Sequence, residues 1–121
     1  IGYGGKNVIS LLIIEEPEQN LHPMLQSKLA DFFFSLNKDY GFQFIIETHS
    51  EYLIRKSQVL VAKEHFASQE ELLKESPFKV IYFPGDGKLP YDMLYRPDGK
   101  FANEFGHGFF DEASNLVFDI L

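Results

Sequence analysis

Seven residues, Val8-Ile9-Ser10-Leu11-Leu12-Ile13-Ile14, form a nearly continuous β-branched and apolar run that breaks abruptly at Glu15-Glu16-Pro17-Glu18. Continuous rather than alternating apolarity predicts a strand buried on both faces, as in a parallel sheet, and the run is too short for a buried helix. A parallel strand needs a crossover, and the sequence supplies one. Pro23 suits a first helical position after His22, and Leu25, Leu29, Phe32, Phe33 and Leu36 repeat at helical spacing. Gly41 is a stop signal. Phe42 to Glu47 reads as a second apolar strand, again ending in an acid. Thr48 and Glu51 then have capping-box spacing, which predicts a second helix from about His49 with Tyr52, Leu53 and Ile54 on it. Strand, helix, strand, helix with short connections is a βαβ pattern. Function in such sheets gathers at the carboxyl ends of the strands, where this chain places its acids.

Beyond Ala62 the pattern changes. Ser68 to Glu71 is a second capping box before a short helix ending by Pro77, and Phe78 to Phe83 reads as a strand. The turn strings Pro84-Gly85-Asp86-Gly87 and Pro97-Asp98-Gly99-Lys100 bracket Leu89 to Arg96 and predict an antiparallel meander. Asp111 opens an expected last helix with Ala113, Leu116, Val117, Ile120 and Leu121 on one face. The expected architecture is α/β, with residues 1–62 carrying the parallel part and residues 63–121 an extension packed on the same core.

Composition narrows the function. Eleven basic against eighteen acidic residues give a net charge of −7, which argues against a broad basic surface for nucleic acid while leaving room for a local patch. The absence of cysteine excludes disulfides, cysteine zinc fingers and thiol nucleophiles. No apolar run is long enough to span a bilayer. The opening Ile-Gly-Tyr-Gly-Gly lacks the basic-then-apolar pattern of a secretory leader, so a cytoplasmic protein is the expectation. That glycine-rich opening without an initiator Met also predicts a fragment of a longer chain.

The string from Leu11 to Pro23, four apolar residues and then Glu15-Glu16, resembles a Walker B motif. Such a strand delivers two carboxylates to one sheet edge. The first can orient Mg²⁺, and the second can polarise a water that attacks a γ-phosphate. Related ABC-type ATPases usually have Asp at the position of Glu15. Gln19-Asn20-Leu21-His22 resembles the dimer-facing loop of those heads, and Leu21-His22-Pro23 is similar to the OLD-like and RecF-like branch of AAA/ABC ATPases. Phe44-Ile45-Ile46-Glu47-Thr48-His49-Ser50 resembles their switch, or H-loop, in which a neutral imidazole senses the γ-phosphate. Gly106-His107-Gly108-Phe109-Phe110-Asp111-Glu112 resembles a C-terminal domain of unknown function found in predicted ATPases of that group. No Toprim nuclease motif is present.

The resemblance implies a partial P-loop NTPase fold of ABC type. It assigns Glu16 and His49 to catalysis, Glu15 to the metal, and Gln19, Asn20, Leu21 and His22 to the nucleotide. ATP and Mg²⁺ are the implied cofactors, a homodimer of ATPase heads the implied assembly, and DNA or an effector protein the implied partner, with no membrane. No G-x-x-x-x-G-K-[ST] string occurs in the 121 residues. Gly5-Lys6-Asn7 and Gly85-Asp86-Gly87-Lys88 are decoys, so the chain alone is expected to be inert, with its phosphate loop upstream. Gly2-Tyr3-Gly4 resembles the end of the family's signature loop but leaves no room for the helix that follows it, which predicts a junction at Gly4-Gly5. Two alternatives stand beside the ATPase. One is a metal-dependent hydrolase using Glu15, Glu16, Glu18, His22, Glu47 and His49. The other is a non-catalytic interaction module. His65 and His107 are expected to be a surface and a turn residue.

Overall fold

The computed structural model describes residues 10–106 and Phe109. The chain is α/β, in the order β1 (Leu11–Glu15), α1 (Pro23–Tyr40), β2 (Gln43–Glu47), α2 (Glu51–Lys63), α3 (Gln69–Glu75), β3 (Val80–Tyr82) and β4 (Tyr91–Met93). It divides into two compact units between Leu60 and Val61. The expected junction at Gly4-Gly5 and the last helix from Asp111 lie outside the described residues, as does His107.

In the first unit β1 and β2 pair in parallel and in register, from Leu11 opposite Gln43 to Glu15 opposite Glu47. Helix α1 makes the crossover. His22 caps its start, Nδ1 accepting from the Met24 N–H at 3.2 Å, and Pro23 occupies the first turn. Gly41 ends it in the left-handed conformation (φ 76°), letting the Phe42 N–H reach back to the Leu36 carbonyl. Phe33, buried on α1, packs on Phe44 of β2 with ring centroids 4.9 Å apart and the rings tilted by 54°.

That contact shields part of one face of the sheet, on the β2 side. The opposite face stays open: Leu11, Ile13 and Ile45 are 55%, 74% and 56% exposed. The expectation of strands buried on both faces is therefore corrected. A single helix beside two five-residue strands shields one face only in part, Leu12 on that face being 38% exposed, and among the described residues no second layer lies on the other. The predicted helical stripe divides for the same reason. Of its members Phe33 is buried, whereas Leu25 and Phe32 remain exposed; Ala30, outside the predicted stripe, is buried as well.

The second helix also differs from its prediction. It starts at Glu51, and its cap is Ser50, whose buried Oγ accepts from the Leu53 N–H at 3.1 Å. Thr48 is not the cap; its hydroxyl is engaged elsewhere, as described below.

In the second unit Val61, Leu72 and Tyr95 form the buried centre, with Phe66, Phe78, Val80 and Phe101 against it. Ser68 caps α3 and the Glu71 carboxylate returns to the Ala67 N–H, one residue before the cap. Strands β3 and β4 pair antiparallel, and a further bridge joins Tyr95 to Phe101 across the Pro97–Lys100 turn. Asn103 extends this meander through its side chain, accepting from the Leu94 N–H and donating to the Asp92 carbonyl. His65 is exposed, just past α2.

Gly106 sits under the Tyr82 ring. A Cβ placed there would lie 2.7 Å from Tyr82 Oη and 3.2 Å from Cε2. The ring has little room to yield, since Tyr91, Phe105 and Phe109 meet it edge-on at 5.4, 5.2 and 5.3 Å. Overpacking costs about 1–3 kcal/mol, whereas Gly→Ala gains about 0.4–1 kcal/mol through the unfolded chain. Gly106→Ala is accordingly expected to destabilise this unit by a net ~1 kcal/mol, read as a lower urea midpoint at unchanged slope. An unchanged or raised midpoint would show that the aromatic cluster yields freely.

Candidate functional site at the carboxyl edge of the parallel strands

In-register parallel pairing brings both strand ends to one edge. Glu15 and Glu47 are paired residues at the last rung, so their exposed side chains leave the same face of the sheet. The ladder continues one residue further, the Glu16 N–H donating to the Glu47 carbonyl at 2.7 Å. At Glu16 the backbone then turns into the left-handed region, φ 46°. A non-glycine residue holds that conformation at a cost of roughly 1–2 kcal/mol. The turn carries the Glu16 side chain toward the end of β2, where Oε1 lies 3.3 Å from Nδ1 of His49. Both side chains reach solvent, His49 being 70% exposed. With Nδ1 facing Glu16, Nε2 is the ring nitrogen that can meet an incoming group.

A polar network holds the two strand-end loops together. Glu18, half-buried, accepts from the Thr48 hydroxyl at 2.7 Å through one carboxylate oxygen and from the His49 N–H at 3.2 Å through the other. Thr48 Oγ1 in turn accepts from the Ser50 N–H at 3.0 Å. A second tie runs through Gln26 of α1, whose Oε1 accepts from Ser50 Oγ at 2.6 Å and whose amide donates to the Leu21 carbonyl at 2.9 Å. Gln26, Thr48 and Ser50 have no signal in the linear pattern that marks them for this task. Glu18 was visible as an acid, but its partners lie 30 and 31 residues away.

The remaining predicted residues are placed along the intervening loop. Gln19 and Asn20 are exposed, Asn20 with φ 66°, and Leu21 is half-buried. His22 is exposed at the start of α1, where its ring serves as the helix cap. Among the described residues no three His, Asp or Glu side chains are grouped to hold a metal ion. The donor set nevertheless fits Mg²⁺ arriving with a nucleotide, because Mg²⁺ is commonly held by one or two carboxylates together with phosphate oxygens and water. Glu15, with Glu47 beside it, offers that at this edge.

The geometry defines a class of site: a carboxylate and an imidazole held together at the carboxyl edge of a parallel α/β sheet. Residues 4–54, less than half of the chain, match the family model of an AAA ATPase domain. That match contains both strands, α1, Glu15, Glu16 and His49, and marks the segment as similar to part of an AAA-type ATPase. No curated protein and no solved structure matches the chain. No helix among the described residues is long and apolar enough to cross a membrane.

Proposed function

We propose that the first unit is the hydrolytic edge of an ATP-hydrolysing head of ABC/AAA type, in the OLD-like and RecF-like branch. The observation that carries this reading is the 3.3 Å approach of Glu16 to His49, within a segment similar to an AAA ATPase domain. Mg²⁺-ATP, when bound, supplies the electrophilic γ-phosphate. Glu16 accepts the proton of the attacking water, and its contact with His49 keeps the carboxylate at the edge. His49 would meet the terminal phosphate with a ring N–H, standing beside Glu16 at the same edge. Glu15 would hold Mg²⁺, which would neutralise the charge developing on the phosphate oxygens. Gln19, Asn20, Leu21 and His22 form the loop that meets the nucleotide across a dimer of heads. The assembly acts in the cytoplasm on DNA or an effector protein, and the C-terminal unit is an accessory extension of the head.

These 121 residues contain no phosphate-cradling loop with its lysine, and that loop carries most ground-state affinity for a nucleotide in this fold. The chain by itself is therefore expected to show no micromolar binding of Mg-ATP in calorimetry, while the full-length protein binds and hydrolyses it. Micromolar binding by the chain alone, or a full-length protein without ATP hydrolysis, would overturn the proposal.

A further inference from the structure

We propose that Glu18 is a positioning residue that registers the His49 imidazole against Glu16, an inference that rests on the ATPase reading above. Glu16 and His49 belong to different loops, one leaving β1 and the other leaving β2. The backbone ladder ends at the Glu16 N–H. Beyond it, the link nearest to the pair is the Glu18 side chain. Both its oxygens are used, one by the Thr48 hydroxyl and one by the His49 backbone N–H. An ionised carboxylate only accepts hydrogen bonds, and here the two donors sit on consecutive residues. A two-point grip of this kind fixes rotation as well as distance, which a single bond to either donor would not.

The grip acts on the backbone of residue 49. It therefore leaves the imidazole free to meet a phosphate while setting where the ring stands. Thr48 propagates the hold, since its oxygen accepts from the Ser50 N–H and Ser50 caps α2. The His49 loop is thus tied on one side to the acid loop and on the other to a helix end. Glu18 reaches the site through the Thr48 hydroxyl and the His49 backbone, so its effect on turnover passes through His49.

The variant that tests this is Glu18→Gln. The amide keeps the shape but loses the charge and has one accepting oxygen for two donors; both contacts survive only if the Thr48 hydroxyl turns from donor to acceptor of the amide N–H. In the full-length protein, Glu18→Gln is expected to lower kcat about five- to tenfold with KM for ATP changed less than twofold. Combined with His49→Ala it should add no further loss, because the group it positions is gone. The backbone ¹⁵N order parameters of residues 48–50 should fall in the same sample. Thr48→Val, which removes one donor and keeps the volume, should give a smaller loss of the same kind and serves if Glu18→Gln does not fold. Multiplying losses in the double variant, or an unchanged kcat, would overturn the positioning role while leaving the ATPase reading intact. If the wild-type protein hydrolyses no ATP, the ATPase reading fails by itself. The order parameters then decide the grip, and unchanged values in both variants would overturn it.

Discussion

Glu16→Gln in the full-length protein is expected to abolish ATP turnover while preserving ATP binding. Three features isolate the chemistry in this substitution. The amide matches the carboxylate in shape. The bond from the residue-16 N–H to the Glu47 carbonyl belongs to the backbone and survives. The left-handed φ of 46° is no harder for Gln than for Glu. What is lost is the capacity to take a proton, and a positioned general base contributes about 10²–10⁴-fold. Steady-state hydrolysis should fall by that order, and the ATP-bound dimer should accumulate on size-exclusion chromatography in the presence of Mg-ATP. Normal hydrolysis by the variant would move the base to Glu15 or Glu18.

His49→Ala is expected to lower the hydrolysis rate by at least about tenfold, which corresponds to ~1.4 kcal/mol of transition-state stabilisation. Alanine retains the backbone N–H that donates to Glu18, so the loop keeps its place and only the imidazole is removed. Affinity for ATP should fall less than the rate, because the phosphate loop dominates ground-state binding. Single-turnover hydrolysis together with nucleotide titration separates the two effects. Equal losses in rate and affinity would show that His49 binds ATP without favouring the transition state.

The order of elements in the first unit was legible from local signals. An apolar run stopped by acids, a proline at a helix start and a glycine at its end each place a boundary within a residue or two of the observed one. The misplaced cap of α2 shows where such reading stops. Thr48 and Ser50 are both capping residues, and the Glu at position 51 fits Thr48 better by spacing. Tertiary structure decides otherwise, because Glu18 takes the Thr48 hydroxyl from 30 residues away and leaves Ser50 to cap the helix. The open sheet face is a second case. An unbroken apolar strand records that both faces can be buried, without recording what covers each. The approach of Glu16 to His49 was legible as a shared sheet edge. The left-handed turn at Glu16 that completes it was not, since nothing in a glutamate announces a positive φ.

The in-register pairing of β1 and β2 also determines where this chain can change length. Strand register is counted in backbone hydrogen bonds, so one residue inserted between Ile13 and Glu16 would turn every side chain beyond it to the opposite face and carry the carboxylate away from the imidazole. One residue inserted between Tyr40 and Gln43 falls before the first rung and leaves the count intact. Loop closure tolerates such additions at a cost that rises only slowly with length. Drift in length can therefore accumulate at the amino end of β2, whereas the carboxyl ends of both strands are closed to it.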